Sequence, residues 1–167
     1  LGVSGISRDL SASKSGNYLL KEFSKIDGSF DSPVDVKIED QVMCPAFASR
    51  YIKNVKNCES PDWLKSKLKS IGLRPISALV DITNYVMYDQ NRPLHVYDAD
   101  KINKNIIVRS AKDKETLKAL DEKEYALSKG MCVIADDMSP LGLGGIMGGE
   151  STGCLLYTSD AADENPS

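Results

Sequence analysis

The chain has 167 residues, of which 41% are hydrophobic and 27% charged, so it is long enough and apolar enough to bury a core. Its net charge of −3 provides no overall attraction to a polyanion such as DNA. No apolar run approaches the roughly 18 residues of a membrane span, and the first residues lack the pattern of a signal peptide. We therefore expect a globular cytoplasmic protein without a membrane or DNA partner.

The first 33 residues are predicted to be the end of a preceding domain followed by a linker. Val3, Ile6 and Leu10 fall at helical spacing directly after the first residue, as in the last part of a helical element. The segment "IDGSFDSP", residues 26–33, is rich in Gly, Ser, Asp and Pro, which is typical of a linker. The main domain is predicted to span residues 34–153.

The first elements of this domain are predicted to be one strand and two helices. The β-branched and aromatic content of "SRYIKNVKN", residues 49–57, predicts a strand. The helix signals of residues 60–72 are Ser60 as the N-cap and Gly72 as the stop. Its apolar stripe consists of Trp63, Leu64, Leu68 and Ile71. The second helix, about residues 77–88, has an apolar face predicted to contain Ile76, Leu79, Val80 and Thr83.

Beyond residue 98 the pattern changes to short strands. The segments "NIIVRSA", "TLKALD", "EYALS" and "MCVIAD" are separated by charged or glycine-containing turns, and "SPLGLGGIMGG" follows them. Helices followed by strands predict an α+β fold with a mixed or antiparallel sheet. The last residues, 154–167, have no amphipathic period and resemble translated sequencing-adapter sequence. We expect them to be a non-native tail.

The glycine cluster "GLGGIMGGE" is compared first with a dinucleotide fingerprint. Its glycines, Gly142, Gly144 and Gly148, are spaced one residue too widely for Gly-x-Gly-x-x-Gly, and no helix start follows. We interpret the cluster as a glycine-rich strand and turn, where a ligand or another backbone approaches closely. The alternative is a tight turn with no ligand.

A basic stretch runs from residue 50 to residue 74. It has seven cations against two carboxylates, a local net charge of +5. The cations are Arg50, Lys53, Lys56, Lys65, Lys67, Lys69 and Arg74. Such a stretch is either a surface for a phosphate backbone or simply the solvated side of a helix.

His95 is the only histidine of the chain and lies in the bend "RPLHVYD". It is either a ring packed in that bend or a functional imidazole. Arg74, Thr83 and Asn84 supply a cation, a hydroxyl and an amide within or beside the helix that leads to it. No serine or cysteine nucleophile is evident nearby, so the set suits a polar substrate and a water more than covalent attack. The four cysteines form no Cys-x-x-Cys pair and indicate reduced thiols rather than a metal site.

Several of these motifs together resemble a known family. "CPAFASRYIKNV", "SPDWLKSKLKSIGLRPISALVDITNYVM", "RPLHVYDADKI" and "GGIMGGES" are similar, in order and spacing, to the B3/B4 segment of the β subunit of bacterial phenylalanyl-tRNA synthetase. The resemblance covers about residues 44–153, and the opening "LGVSGISRDLSA" resembles the segment just before. It implies an incomplete B3/B4-type domain from an α2β2 synthetase, with the synthetase α subunit and tRNA(Phe) as partners.

The resemblance also implies a function, which is hydrolytic editing of mischarged Tyr-tRNA(Phe). The residues that match the family's editing pocket are Arg74, Thr83, Asn84, His95, Gly145 and Gly148. No cofactor is implied for this segment, and ATP and magnesium are implied only for the whole synthetase. The alternatives are a non-catalytic scaffold of the synthetase with a vacant pocket and a free-standing editing protein, which would need natural ends.

The resemblance assigns a role to each of these matching residues. His95 and Arg74 would position the terminal adenosine of the tRNA and the water, and Thr83 and Asn84 would hold the amino-acid moiety or backbone. The two glycines would leave room for the tyrosyl ring. The family also uses a glutamate beyond the position of Glu150, in a stretch that the expected tail replaces, so we expect the isolated chain to lack editing specificity.

Overall fold

The computed structural model describes residues 2–20 and 22–153, which form parts of two compact units. The helical unit consists of Leu1–Asp31 and Lys56–Val96, and the sheet unit consists of Ser32–Val55 and Tyr97–Ser167. Within the described residues, the α-helices lie in the first unit and the strands in the second. The predicted α+β class, with helices and a mixed sheet, is confirmed.

The helical unit begins with α1, Val3–Ala12, which packs against α3, Ala78–Gln90. The predicted apolar positions Val3, Ile6 and Leu10 do form one helix, but each remains about half exposed. The α3 helix ends at Asn91, which adopts the left-handed conformation that stops a helix.

The α2 helix, Asp62–Ser70, ends as the sequence predicts. Gly72 has φ +82, a conformation that glycine adopts without steric cost. The amide of Leu73 donates to the Leu68 carbonyl at 2.9 Å, and that of Gly72 donates to the Lys69 carbonyl at 3.0 Å. This pair of hydrogen bonds is a Schellman motif, which satisfies carbonyls that the helix end would leave free.

Only part of the predicted apolar stripe of α2 is buried. Leu64 and Leu68 are buried, whereas Ile71 is partly exposed. Trp63 is more than half exposed and meets the Tyr85 ring edge to face, with ring centroids 5.7 Å apart. The α2 helix therefore packs through a narrow aliphatic strip supplemented by one aromatic pair.

The sheet unit contains a five-stranded sheet in the order β1-β2-β5-β6-β7 and a separate β3-β4 pair. β1 and β2 pair in parallel, and the other pairs among the seven strands of the described residues are antiparallel. The strands are β1 Val36–Ile38, β2 Ile106–Ser110, β3 Thr116–Lys118, β4 Glu124–Ala126, β5 Cys132–Ala135, β6 Pro140–Leu143 and β7 Met147–Gly148. A short 3-10 helix, Ala99–Lys101, precedes β2.

The core of the sheet unit is aliphatic. Its central cluster consists of Ala111, Leu117, Leu127, Val133 and Ala135, with Tyr125 and Leu143 packed against it. One ion pair lies at the edge of this packing: the Arg109 guanidinium donates to both carboxylate oxygens of Glu115, at 2.7 and 2.9 Å. The hydrogen bonds from Arg109 hold the pKa of the Glu115 carboxyl below its usual value.

The predicted strand over residues 49–57 is wrong, because no strand forms there. Asn54 has φ +56, which interrupts an extended backbone, and the boundary between the two units falls inside the segment. The β1 strand was not predicted, although Val34, Val36 and Ile38 alternate with other residues just before and within it. Beyond residue 98, the predicted strand segments contain β2 to β7. The predicted tail, 154–167, lies outside the described residues.

Candidate functional site in the helical unit

A fully buried carboxylate holds the start of α3. Asp81 has 0% of its surface exposed and accepts hydrogen bonds from the Ser60 hydroxyl at 2.5 Å and from the Ile76 amide at 2.9 Å. The predicted N-cap role of Ser60 is therefore wrong: α2 has no side-chain cap, and the hydroxyl is used by Asp81 instead. Ile76 precedes α3 and is 60% exposed, so its predicted place on an apolar helix face is also wrong.

A second buried side chain, Asn57, satisfies other groups at the same helix end. Its amide nitrogen donates to the Ser77 hydroxyl at 3.3 Å, and its carbonyl oxygen accepts from the Leu79 amide at 3.3 Å. The Ala78 amide donates to the Cys58 carbonyl at 2.8 Å. Asn57 and Cys58 thus accept hydrogen bonds from two of the free amides that an α-helix exposes at its start. We call the buried set of Asn57, Ser60, Ser77 and Asp81 the polar network.

Arg74 lies in the turn between α2 and α3, and it is exposed. It lines a cleft of about 310 Å³ together with Lys65 and Lys69 of α2, and Ser60 and Asp81 of the polar network are also part of the lining. Thr83, Asn84 and His95 are not among the residues that line this cleft. The cleft of Arg74 is therefore a basic surface feature of its own within the helical unit.

Thr83 and Asn84 are half-buried in the middle of α3. The Thr83 hydroxyl donates to the Val80 carbonyl one turn earlier, at 2.7 Å. A hydroxyl has one proton to donate and two lone pairs, so Thr83 can only accept a hydrogen bond from a ligand while this bond is made. Asn84 keeps an amide that can both donate and accept.

His95 is half-buried near the end of the helical unit, four residues after the left-handed Asn91. Burial lowers the pKa of its imidazole below the usual 6.5, because desolvation disfavours the charged form. The ring is therefore neutral at pH 7. A neutral imidazole has one nitrogen that can accept a proton, which is what a general base or a water-orienting group requires.

Gly145 and Gly148 belong to the sheet unit, in the β6–β7 turn and in β7. Gly145 has φ +71 in the turn between β6 and β7, and a Cβ built there meets no atom within 4 Å. Gly148 pairs with Gly142 across the two strands, and its carbonyl accepts a hydrogen bond from the Leu120 amide at 3.1 Å. A Cβ on Gly149 would lie 2.7 Å from the Leu141 carbonyl oxygen. Close backbone approach explains part of this glycine cluster without a ligand.

The six predicted site residues are thus divided between two units. Arg74, Thr83, Asn84 and His95 are in the helical unit, and Gly145 and Gly148 are in the sheet unit. The predicted basic stretch is divided as well, since Arg50 and Lys53 belong to the sheet unit and the remaining five cations to the helical unit. Their role as one editing pocket stays a prediction.

Sequence reasoning missed the polar network. An aspartate in the first turns of a helix is usually a solvated residue that interacts with the helix dipole, and nothing in the pattern around Asp81 marks it as buried. The one available signal was the clustering of Ser, Asn and Asp at both ends of the segment that precedes α3. Glu150, in contrast, is partly exposed and forms an ion pair with Lys118 at 2.7 Å.

The remaining candidate groups are metal ligands and cysteine thiols. In the part of the chain that the structure describes, no three His, Cys, Asp or Glu side chains gather as a metal site. Cys44, Cys58 and Cys132 are free thiols, and burial raises the pKa of Cys132, which keeps it protonated at neutral pH. Over residues 2–20 and 22–153, no helix combines the length and apolar character needed to cross a membrane.

Comparison with known proteins identifies the family. A model described as the B3/4 domain matches residues 43–162, which includes nine residues of the predicted tail. The adapter origin of that tail stays a prediction.

Curated relatives match nearly the whole chain. The phenylalanine–tRNA ligase β subunit of Rhodopseudomonas palustris is 52% identical over 164 residues, and that of Brucella abortus is 48% identical over 167 residues. That of Ruegeria pomeroyi is 53% identical over 160 residues, 95% of this chain and 20% of the relative. In the other two the alignment covers 98% of this chain and 20% or 21% of the relative, so the chain spans about a fifth of the length of these subunits. The chain therefore belongs to the B3/4 domain family, in the form found in bacterial phenylalanine–tRNA ligase β subunits.

Proposed function

We propose that this chain is part of the β subunit of a cytoplasmic, ATP-dependent phenylalanine–tRNA ligase and contributes to the hydrolytic editing of mischarged Tyr-tRNA(Phe). The similarity to subunits named for this ligase supports the first part. The observation that carries the second part is the single imidazole of the chain. His95 is half-buried and, because burial lowers its pKa, neutral at the pH of translation.

The physics of discrimination explains why such an enzyme needs a second site. An apolar pocket built for phenylalanine rejects the same ring with an added hydroxyl by only about a hundredfold. A site that hydrogen-bonds the hydroxyl rejects phenylalanine far more strongly, because its buried polar groups would then lose their partner. A second site that recognises the hydroxyl of tyrosine therefore discriminates between the two amino acids better than the first site can.

The helical-unit residues have distinct roles in this proposal. His95 orients the hydrolytic water and accepts its proton, and Arg74 holds the terminal adenosine of the tRNA. Thr83, whose proton is already donated to Val80, accepts a hydrogen bond from the α-ammonium group of the aminoacyl ester. Asn84 binds the remaining polar groups of the amino-acid moiety. Gly145 and Gly148 leave room for the tyrosyl ring.

The proposed partners are tRNA(Phe) and the α subunit, in an α2β2 assembly. ATP and Mg²⁺ serve the aminoacylation reaction of the whole ligase. The described residues offer no cluster of ligands that fits a magnesium ion. No step of the proposed hydrolysis involves either group.

The test replaces His95 by Ala and by Gln in a full-length β subunit assembled with its α subunit. We expect the hydrolysis of Tyr-tRNA(Phe) to slow about a hundredfold, which is the lower end of general acid–base effects, while phenylalanylation is unchanged. The control variant is Leu94→Ala, which changes an exposed neighbour of the same bend. Unchanged deacylation by both His95 variants would contradict the editing role.

A second function is favoured by one observation. Close packing within the sheet unit accounts for Gly149, and turn conformation accounts for Gly145, so these glycines do not require a ligand. This supports a scaffold that holds ligase subunits together with a vacant pocket. The scaffold role would be supported if the parent enzyme charged tRNA(Phe) but did not deacylate Tyr-tRNA(Phe).

A further inference from the structure

We propose that the Arg74 cleft of the helical unit binds a phosphodiester of RNA, and that Lys69 is a positioning residue for the single-stranded end of the tRNA. The proposal rests on the proposed function for the identity of the RNA. It adds Lys69 to the candidate residues and assigns a ligand chemistry to Arg74. It also distinguishes these two residues from the other cations of the basic stretch.

The charges of the cleft are the first support. Lys65 forms ion pairs with Glu59 and, at 3.7 Å, with Asp62, so its charge is already compensated. Lys69 and Arg74 have no ion-pair or hydrogen-bond partner for their side chains among residues 2–20 and 22–153. Two uncompensated cations on one cleft of a chain with negative net charge form a local site for an anion.

The carboxylates of the lining do not cancel this charge. Glu59 is engaged by Lys65, and Asp81 is fully buried with the Ser60 hydroxyl and the Ile76 amide bound to it. An incoming anion therefore meets the exposed Lys69 and Arg74 before it meets Asp81. The hydrogen bonds to Asp81 also reduce its repulsion of that anion.

The backbone that carries the two cations is fixed from both sides. Lys69 belongs to the last turn of α2, and its carbonyl accepts the Gly72 amide in the Schellman motif. Arg74 lies two residues before Ile76, whose amide is held by the buried Asp81. The polar network thus orders the turn in the absence of a ligand, which lowers the entropic cost of binding.

Chemistry and size favour a phosphodiester. The arginine guanidinium is a planar fork that matches two phosphate oxygens, and the lysine ammonium adds a point charge. The cleft volume of about 310 Å³ is at the lower end of the 300–1,000 Å³ usual for small-molecule sites. It suits one phosphate with its sugar rather than a long segment of duplex. A surface that follows duplex RNA would need cations spread over a larger area.

The helix offers a matched control. Lys67 lies on α2 between Lys65 and Lys69 and is exposed, but it does not line the cleft. With 3.6 residues per turn it is rotated by about 200° from each of them. Lys67→Met and Lys69→Met thus remove the same charge from the same helix on different sides.

The test measures binding of the 167-residue chain to a single-stranded RNA oligonucleotide that ends in CCA, over a range of salt concentrations. Each phosphate contact in single-stranded RNA contributes about 0.7 to the slope of log K against log salt. We expect Lys69→Met to reduce the slope by about 0.7 and to weaken binding about eightfold at 50 mM salt. Arg74→Met should have a similar effect, and Lys67→Met should leave the slope unchanged. Circular dichroism verifies that each variant is folded.

Three outcomes decide the proposal. Equal slopes for the Lys69 and Lys67 variants would overturn it, because the cleft would then contribute no more than the general charge of the helix. Binding of poly-glutamate that depends on Lys69 as strongly as RNA binding does would overturn it in favour of an acidic protein partner. A slope change specific to Lys69 and Arg74, for RNA alone, would support it.

The measurement that would refute the editing role is not the one that would refute the phosphate site. If the parent enzyme did not hydrolyse Tyr-tRNA(Phe), but the slope still depended on Lys69, only the editing role would be lost. If the parent enzyme hydrolysed Tyr-tRNA(Phe), but Lys69→Met left the slope of log K against log salt unchanged, only the phosphate-site proposal would be refuted. The two measurements therefore separate the two proposals.

Discussion

The two units differ in what they bury. In the described part of the helical unit, the buried hydrophobic side chains are Leu64 and Leu68, and beside them lies the polar network. Up to residue 153, the sheet unit buries nine aliphatic residues and three polar or charged ones, Arg109, Asp136 and Thr152. The first unit depends on hydrogen bonds of defined geometry and the second mainly on the removal of apolar surface from water.

This difference bears on where function is expected. Hydrogen bonds fix distances and directions, so a unit held by a buried polar network presents nearby side chains such as Arg74 in a defined position. Aliphatic packing supplies stability without directing particular groups at a ligand. The four predicted site residues with functional side chains all lie in the helical unit, and the two in the sheet unit are glycines.

The largest expected effect is on the sheet unit. Leu117 is 3% exposed in the central cluster, so Leu117→Ala should reduce the free energy of unfolding by about 2–5 kcal/mol through lost burial and a residual cavity. Amide hydrogen exchange of β5, whose Val133 and Ala135 belong to the same cluster, would measure it. Leu120→Ala is the control, because Leu120 is in the same hairpin but 51% exposed, and it should cost less than about 1 kcal/mol. Equal effects would refute the aliphatic core as the main source of stability.

A smaller effect is expected from the polar network. Asp81→Asn removes one acceptor oxygen and leaves the Ser60 hydroxyl or the Ile76 amide without its partner, which should cost about 1–3 kcal/mol. The single tryptophan, Trp63, lies in α2 and reports on the helical unit by its fluorescence during urea unfolding. Asp62→Asn is the matched control, since the fully exposed Asp62 interacts only with the start of α2 and, at 3.7 Å, with Lys65, and its loss should change the free energy of unfolding less than Asp81→Asn does. Equal free energies of unfolding for Asp81→Asn and Asp62→Asn would show that the polar network does not stabilise the helical unit.

The smallest effect is the pH dependence due to His95. Its pKa in the folded chain is below the usual 6.5, so below that pH the unfolded chain binds a proton that the folded chain does not. Stability should fall as the pH decreases through 6.5, by at most about 1.4 kcal/mol per pH unit, and level off below the folded pKa. Urea unfolding between about pH 7.5 and about pH 5.5 would measure this, and His95→Gln should remove the dependence. A slope that persists in the variant would show that another group titrates.

Much of the fold was predictable because the period of the apolar residues reports local structure directly. Segments with alternating apolar residues beyond residue 98 contain β2 to β7, and Gly72 ends α2 as expected. Residues 49–57 had the composition of a strand but formed none, because strand formation needs a partner that composition does not reveal. The β1 strand has such a partner in β2, although it is only three residues long.

The candidate site was predictable only in part. His95, Thr83 and Asn84 stood out as polar or ionisable groups near one helix, and Arg74 as part of a basic stretch. Lys69 could not be separated from Lys65 and Lys67, because the sequence does not show which lysine has an acidic neighbour in space. In the structure, Lys65 forms an ion pair with Glu59, six residues away, and this distinguishes it from Lys69.

The sequence by itself determined the fold class, the family and the chemical groups available, because these follow from periodicity, motif order and residue type. Tertiary structure alone decided that Asp81 is buried, that Ser60 serves Asp81 rather than the start of α2, and that Lys69 and Arg74 share a cleft. The physical reason is that burial and charge compensation depend on residues brought together from distant positions. Those contacts lie beyond the few residues over which a sequence pattern carries information.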